Sequence, residues 1–298
     1  MRKQLRGSAL LLLATVIWGS AFVSQEIAME HLGPFTFQAC RCFVALTGLI
    51  LIIAIFDRRN KNGIGFFRRW ADPTLWKAGL LCGVPLFLAC NLQQLGLAGD
   101  TGAGKSGFLT AMYLVIVPII GIFRRKKPSV MVPVSVCLAV IGLYFLSCMG
   151  VTSIRLGDIL TLGCALAFAF QITIVDIYAA RVDALRLNAI QILVCTVLSA
   201  AAMLFTESPT WAGIRACVIP FAHTGLLSMG IAYSLQIIGQ KDLPPAPAAL
   251  IMSLESVFAL VFGILILKEA LTGWEILGCT LVFIAVILSQ IPIPKMKK

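Results

Sequence analysis

Glu255 is the residue whose type and position indicate the most distinctive chemistry. It stands near the middle of an apolar run, Pro247–Leu267, that contains no other acidic or basic residue. A charged side chain at the centre of a membrane helix costs about 2.5–3.5 kcal/mol to insert, so such residues usually serve a function or pair with one another. Two interpretations therefore stay open. Glu255 is a proton site or a counter-charge for an ammonium group, or it is a structural partner of Arg41.

Other polar side chains within apolar runs could bind a polar ligand. Ser106, Thr110 and Tyr113 are spaced at i, i+4 and i+7, which places them on one face of a helix. On a cavity wall they could bond a ligand, whereas against a neighbouring helix each would form a bond worth about 0.6 kcal/mol. We favour the cavity for Tyr113, because convergent polar groups mark binding sites. The further candidates for a binding site are Trp18, Ser20, Asn91, Gln93, Gln171, Gln236 and Ser253.

The segment Gly99–Ser106 fits the P-loop pattern G-x-x-x-x-G-K-S. A P-loop binds phosphate because it joins a buried strand to a helix N-terminus whose backbone amides surround the phosphate. Here the segment joins two apolar runs, so a tight glycine-rich turn explains it better. We therefore expect no ATP binding, and no other cofactor is indicated.

A serine protease is the alternative from a different functional class. Gly104-Lys-Ser106-Gly107 and Ala222-His223-Thr-Gly225 look like the serine and histidine motifs of rhomboid intramembrane proteases. A serine nucleophile needs a histidine base within hydrogen-bond reach, so this alternative requires Ser106 and His223 to meet. The only other histidine is His31, no H-E-x-x-H motif occurs, and no metal site is predicted.

These residues stand in a chain that is too apolar for a soluble domain. Of its 298 residues, 59% are hydrophobic and 12% are charged, whereas a soluble domain carries about 25% charge. A helix needs about 20 apolar residues to cross the hydrocarbon layer, and it satisfies its own backbone there. We predict an all-α integral membrane protein with ten transmembrane helices, approximately Gly7–Gln25, Phe35–Phe56, Leu75–Leu97, Gly102–Phe123, Val130–Met149, Leu156–Tyr178, Leu187–Phe205, Ala216–Ile238, Pro247–Leu267 and Trp274–Ile291.

The positions of the basic residues predict the orientation of these helices. A net charge of +11 would suit a nucleic-acid-binding protein, but Lys and Arg concentrate at both termini and in alternate loops. The opposite loops hold only Lys105, Arg155, Arg215 and Lys268. Cytoplasmic loops of membrane proteins carry the excess of Lys and Arg, so both termini are predicted to be cytoplasmic. Contacts with membrane lipid are therefore expected, and nucleic-acid binding is not.

The chain also contains an internal repeat. Adding 143 to a residue number aligns the third and fourth predicted helices with the eighth and ninth, so that Gln93 corresponds to Gln236. Adding 150 aligns the earlier helices, so that Arg41 corresponds to Gln191. Two five-helix repeats, 1–150 and 151–298, are predicted. Because five is an odd number, the second repeat is inverted in the membrane, an arrangement typical of secondary transporters with a site between the repeats.

Several short motifs follow one another in a distinctive order. They are Trp18-Gly-Ser-Ala-Phe22, Pro34 with Arg41, Ser106-Gly-Phe-Leu-Thr-Ala-Met-Tyr113 with Pro118, Ser253-Leu-Glu-Ser-Val-Phe258, and Lys268-Glu269. With ten predicted helices in two inverted halves, this order resembles that of the EamA-type carriers of the drug/metabolite transporter superfamily. The resemblance covers nearly the whole chain.

The resemblance implies a function and the position of a site. It implies export or exchange of small polar metabolites, amino acids first among them, by alternating access in the plasma membrane, here the bacterial inner membrane. It also implies that the first, third and fourth helices of each half line a central cavity, with Trp18 in its wall. Since no ATPase module is encoded, transport would run down a gradient or couple to protons. The predicted partners are thus a small-molecule substrate and membrane lipid, with protons as the coupling ion if transport is coupled.

Overall fold

The computed structural model describes residues 2–59, 66–99, 101, 103–125, 129–147, 154–268 and 272–290. Every regular element within these residues is a helix, and none is a strand. The predicted all-helical class is therefore confirmed.

The body of the protein consists of apolar helices joined by short loops. Their bounds are α1 (Arg2–Met29), α2 (Pro34–Arg59), α3 (Pro73–Ala98), α4 (Ala103–Ala111 and Tyr113–Phe123), α5 (Met131–Ser147), α6 (Leu156–Tyr178), α7 (Ala184–Thr206), α8 (Val218–Phe221, Ala222–Ala232 and Tyr233–Gln240), α9 (Pro245–Met252, Glu255–Phe262 and Gly263–Leu267) and α10 (Gly273–Ser289). Two short helices, Phe66–Trp70 and Trp211–Ala216, precede α3 and α8. In the described part of the chain, eight helices are long and apolar enough to cross a membrane. The other two, α5 and α10, have 17 residues each.

Apolar side chains lie on the exterior and polar side chains in the interior, which is the reverse of the arrangement in a soluble protein. Large apolar side chains such as Leu51, Phe56 and Leu81 are exposed, whereas Asn188 and Gln191 are completely buried. An exposed apolar exterior is stable in lipid, and buried polar groups need hydrogen-bond partners within the protein. The exterior therefore fits the hydrocarbon layer of a membrane, and the polar chemistry lies in the interior.

Two of the interior helices are interrupted halfway along their length. In α4 the N–H of Val115 bonds the carbonyl of Met112 at 3.0 Å, and in α9 the N–H of Leu254 bonds the carbonyl of Ile251 at 3.1 Å. Both bonds span three residues rather than four, which tightens the helix locally. The middle of α8, Ala222–Ala232, is a π-helix. Irregular backbone at membrane depth is tolerated where it is enclosed by protein or lines a cavity.

Helices α2 and α7 form an antiparallel pair that is bonded at both ends. Asp57, near the end of α2, accepts a hydrogen bond from Arg186 near the start of α7 at 2.6 Å. Glu207, directly after α7, accepts from the backbone N–H groups of Phe35 and Thr36 at 2.9 and 2.8 Å. The two ends of the pair define the Asp57 face and the Glu207 face of the protein.

Candidate functional site

A cavity lies between α1, α3, α4, α6, α8 and α9, with one side chain contributed by α2. It contains about 500 Å³ of free space, part of which is continuous with solvent. Its walls are formed by Trp18, Phe22, Gln25, Arg41, Cys90, Gln93, Tyr113, Phe168, Ile172, Ser228, Met229, Tyr233, Gln236, Met252 and Glu255. Mostly apolar and aromatic walls with a few polar groups are the usual composition of a small-molecule site.

Glu255 places a carboxyl group in this cavity because α9 is interrupted directly before it. The second segment of α9 begins at Glu255, and the side chain is 7% exposed. Its Oε1 atom accepts a hydrogen bond from the Tyr113 hydroxyl at 3.1 Å, the only donor that reaches it from the described residues. A buried carboxylate is costly unless it is bonded or paired. Glu255 thus keeps the capacity to bind a further donor within the cavity.

Arg41 brings a positive charge to the same cavity. Its Nε atom donates to Gln38 Oε1 and its Nη1 atom to Gln25 Oε1, both at 2.6 Å. The guanidinium carbon lies 5.3 Å from the centre of the Phe37 ring. Among the described residues Arg41 forms no ion pair. The Arg41–Glu255 ion pair, one of the two interpretations of Glu255 from the sequence, is therefore not formed. The two charged side chains line the same cavity without contacting each other.

Six of the predicted site residues line the cavity together. They are Trp18, Arg41, Gln93, Tyr113, Gln236 and Glu255. The indole of Trp18 packs edge-on against the Tyr233 ring, with centroids 5.1 Å apart. The Gln236 side-chain oxygen is buried and has no hydrogen-bond partner among the described residues.

The other five predicted site residues are directed elsewhere. They are Ser20, Asn91, Thr110, Gln171 and Ser253. Asn91 donates to Ser199 on α7 at 2.9 Å, and Ser253 donates to the Leu250 carbonyl at 2.8 Å. Thr110 accepts from the Gln93 amide at 3.1 Å. The side chains of these residues bond within their own helix or to a neighbouring helix.

Gln171 belongs to a chain of buried amides that reaches the cavity. Its Oε1 accepts from Gln236 at 3.0 Å, and its Nε2 donates to Gln191 at 3.2 Å. Gln191 in turn donates to Asn188 at 2.8 Å, and Gln236 also donates to Gln240 at 2.9 Å. Buried polar networks of this kind fix the relative position of their helices. Gln171 therefore supports the cavity wall through Gln236.

Several cavity residues were not predicted from the sequence. Phe168 and Met252 are ordinary members of apolar runs, and no local pattern distinguishes them, whereas Phe22 ends the motif Trp18-Gly-Ser-Ala-Phe22 but was not among the candidates. Cys90 and Tyr233 could have been found, because 90 + 143 = 233 makes them equivalent positions of the repeat. In the structure the Cys90 thiol lies 3.7 Å from the Tyr233 hydroxyl.

The residues of the protease alternative do not meet. The Nε2 atom of His223 lies 3.0 Å from the Ser20 hydroxyl, and its Nδ1 atom lies 2.7 Å from the Ser24 hydroxyl. The Ser106 hydroxyl is buried, and no described residue forms a hydrogen bond with it. The serine–histidine pair that a rhomboid-like mechanism requires is therefore not formed.

The lysine of the P-loop-like segment contacts a carboxylate of the protein, whereas the pattern suggests a contact with phosphate. The Lys105 ammonium group lies 2.5 Å from Asp158 on α6. Asp100 and Gly102 of this segment, like Glu269 of the last motif, lie outside the described residues. In the described ranges no group of three or more His, Cys, Asp or Glu side chains could hold a metal ion.

An all-helical protein with an apolar exterior and a charged, partly open central cavity has the construction of a membrane transport protein. The EamA-like transporter family model matches residues 5–148 and again residues 155–290. The chain belongs to this family, and it is a multi-pass transporter of the plasma membrane of a prokaryote.

Similar proteins agree with this assignment. A protein named "Uncharacterized transporter" from Archaeoglobus fulgidus is 31% identical over 96% of this chain and 86% of its own length. The "Uncharacterized transporter YoaV" of Bacillus subtilis is 23% identical over 90% of this chain and 91% of its own. One crystal structure shares the fold of this chain. The alignment covers 95% of this chain and 96% of that chain, with a TM-score of 0.76 and 15% sequence identity.

Proposed function

We propose that this transporter is a secondary carrier that exports or exchanges small polar metabolites, amino acids first among them, by alternating access. The main support for this proposal is that Arg41 and Glu255 line one cavity and form no ion pair with each other. Two opposite buried charges that do not neutralise each other favour a ligand that carries both signs.

The cavity offers a complementary partner for each end of such a ligand. Arginine binds carboxylates through a planar fork of N–H donors, so Arg41 suits a substrate carboxylate. Glu255, with Tyr113 beside it, suits an ammonium group. The rings of Trp18 and Phe168 suit the apolar part of a side chain. These roles support an α-amino acid more directly than a sugar or an organic anion.

The proposed carrier has ten membrane spans in two inverted halves, 1–150 and 151–298. The 17 residues of α5 and of α10 reach the lower end of the range for a span, about 17–25 residues. The antiparallel α2–α7 pair supports the inversion. We place both termini and the Asp57 face in the cytoplasm, because the basic loops lie on that side of the predicted topology.

Protons are the proposed coupling ion, and ATP is not required. Glu255 is a carboxyl group that could carry a proton when no ammonium group is bound. A carboxyl that binds either a proton or a substrate cation, but not both, couples the two fluxes in opposite directions.

Counterflow in proteoliposomes tests the proposal. Vesicles loaded with one unlabelled amino acid are expected to accumulate the same radiolabelled compound, and vesicles without protein are not. Glu255→Gln is expected to abolish accumulation in a folded protein. Glu275→Gln is the matched control, because Glu275 caps α10 away from the cavity and glutamine can form the same capping box. A normal rate in Glu255→Gln with unchanged pH dependence would contradict the role of Glu255, and no accumulation of any amino acid would contradict the substrate class.

A further inference from the structure

Two ion pairs join α4 to α6 at opposite ends of the contact between these helices. The Lys105 ammonium lies 2.5 Å from Asp158 near the start of both helices. Arg124, directly after α4, lies 3.4 Å from Asp176 near the end of α6. Because α4 belongs to the proposed first half and α6 to the second, both ion pairs connect the two halves of the carrier.

The two ion pairs lie at opposite faces of the protein. Arg69, shortly before α3, pairs with Asp57 at 2.9 Å, so α3 starts at the Asp57 face. The next helix, α4, therefore starts at the Glu207 face, and the Lys105–Asp158 pair lies there. From Lys105 to Arg124 the chain advances 124 − 105 = 19 residues, about 28 Å of helix. That length is close to the thickness of the hydrocarbon layer, about 30 Å.

The cavity lies between these two ion pairs. Tyr113 of α4 and Phe168 of α6 both line it, and their ring centroids are 6.4 Å apart. An alternating-access carrier opens its site to one face at a time. Opening along the α4–α6 contact toward the Glu207 face separates Lys105 from Asp158, and opening toward the other face separates the second ion pair.

The interruption of α4 allows one end of this contact to open alone. Met112 divides α4 into Ala103–Ala111, which carries Lys105, and Tyr113–Phe123, which leads to Arg124. A few residues at the end of a helical element commonly serve as a hinge. The first segment can therefore tilt away from α6 while the second segment stays in place.

The equivalent contact on the other side of the repeat has no such ion pair. The position equivalent to Lys105 is Ala248 (105 + 143), and the position equivalent to Asp158 is Ser8 (158 − 150). Neither side chain carries a charge, so the ionic contact is specific to α4 and α6. This contact exists on one side of the repeat and has no equivalent on the other. It must therefore change when the two halves exchange conformations.

The two ion pairs differ in their exposure to solvent. The Lys105 and Asp158 side chains are 16% and 3% exposed, compared with 31% and 11% for Arg124 and Asp176. Breaking a buried ion pair leaves a charge without compensation, whereas an exposed pair contributes little. Separating Lys105 from Asp158 is therefore expected to cost more than separating Arg124 from Asp176.

We propose that Lys105 and Asp158 form the latch that closes the cavity at the Glu207 face, and that Arg124 and Asp176 form its counterpart at the Asp57 face. The proposal rests on the carrier function proposed above. Both residues of the latch are positioning residues, since they act on access to the cavity and do not line it.

Labelling of Cys90, which lines the cavity, measures this access directly. In a variant with Cys90 as its only cysteine, a membrane-impermeant methanethiosulfonate is added to vesicles of either orientation. We expect Asp158→Asn and Lys105→Met to accelerate labelling from the Glu207 face about tenfold, a shift of about 1.4 kcal/mol in favour of the open state. Asparagine can still accept from the Arg155 N–H at the start of α6, the bond that Asp158 forms at 2.8 Å.

Glu207→Gln is the matched control at the same face. Glu207 also connects the two halves, but it bonds α2 and does not line the cavity, so labelling is expected to stay slow. Unchanged labelling in both latch variants, or acceleration from the Asp57 face only, would overturn the latch. Labelling needs no substrate, so a negative counterflow result together with accelerated labelling would reject the substrate class and keep the latch. If Asp158→Asn does not fold, Lys105→Met, which leaves the α6 cap unchanged, decides the question.

Discussion

Asp57 and Glu207 hold opposite ends of the same helix pair. Asp57 binds Arg186 at the start of α7, and Glu207 binds the backbone and hydroxyl groups of Thr36 at the start of α2. Both relationships follow the repeat, since 57 + 150 = 207 and 36 + 150 = 186. Each helix thus ends in an acidic residue that binds the start of the other helix.

A contact that exists in duplicate has a different role from a contact that exists once. When two inverted halves exchange conformations, a duplicated contact is replaced by its own equivalent and can persist. The α2–α7 pair can therefore remain fixed during transport. The unduplicated Lys105–Asp158 contact cannot persist in the same way, which is why we place the moving part of the carrier at α4 and α6.

Removing the Glu207 carboxylate is expected to destabilise the protein without affecting the cavity. Glu207→Ala leaves the N–H groups of Phe35 and Thr36 without their acceptor at the start of α2, which costs about 1–3 kcal/mol. Thermal unfolding in detergent measures the effect as a lower Tm. Glu30→Ala removes an exposed glutamate and serves as the control. Equal Tm values for the two variants would contradict the structural role of Glu207.

Cys42 of α2 and Cys195 of α7 are expected to form a disulfide when an oxidant is supplied. Their sulfur atoms are 3.6 Å apart in the middle of the helix pair, and both thiols are free. Diamide takes up the two hydrogen atoms of the thiols as the S–S bond forms. The crosslinked peptide is detectable by mass spectrometry, and Cys195→Ser is the control that prevents it.

Transport is expected to continue in the crosslinked protein, because the α2–α7 pair stays fixed in the proposed mechanism. Counterflow before and after oxidation, compared with the Cys195→Ser variant, measures this directly. Complete loss of counterflow that returns on reduction, in the presence of Cys195 only, would show that the two helices must separate.

The sequence predicts that this is a membrane protein, and it predicts part of the site. There are physical reasons why the rest of the site could not be predicted. An apolar run with one acidic residue is enough to single out Glu255, and helical spacing is enough to associate Tyr113 with a polar face. Neither pattern gives the rotation of a helix about its own axis. Nor does either pattern show that α4 is interrupted at Met112, between Thr110, which accepts a bond from Gln93 on α3, and Tyr113, which lines the cavity. The distance between Ser106 and His223 was equally beyond the sequence, because it depends on how distant helices pack.

The close approach of α1 and α9 is expected to depend on Gly19. A Cβ atom at this position would lie 2.7 Å from the backbone carbon of Phe258 and 2.8 Å from the backbone nitrogen of Ala259. Because backbone atoms cannot rotate away, Gly19→Ala must push the helices apart, at a cost of about 1–3 kcal/mol. Gly273→Ala is the matched control, since no atom of the described residues lies within 4 Å of its Cβ position. Thermal unfolding is expected to separate the two variants, and equal stability would show that α1 and α9 can move apart freely.

Arg41 is expected to be needed for transport and not for folding, and the repeat supplies the substitution that tests this. Its equivalent is Gln191, whose Nε2 donates to Asn188, three residues earlier, at 2.8 Å. Arg41 likewise donates to Gln38, three residues earlier, at 2.6 Å.

Glutamine can therefore take the place of Arg41, keep the bond within α2 and remove the positive charge from the cavity. We expect Arg41→Gln to fold, although it loses the Arg41 bond to Gln25 Oε1, and to lose counterflow of amino acids, because the substrate carboxylate no longer has a charged partner. Arg215→Gln, at an exposed position, is the control for loss of a positive charge. Full counterflow in Arg41→Gln would assign Arg41 a structural role, and the proposed recognition of a carboxylate would then have to be abandoned.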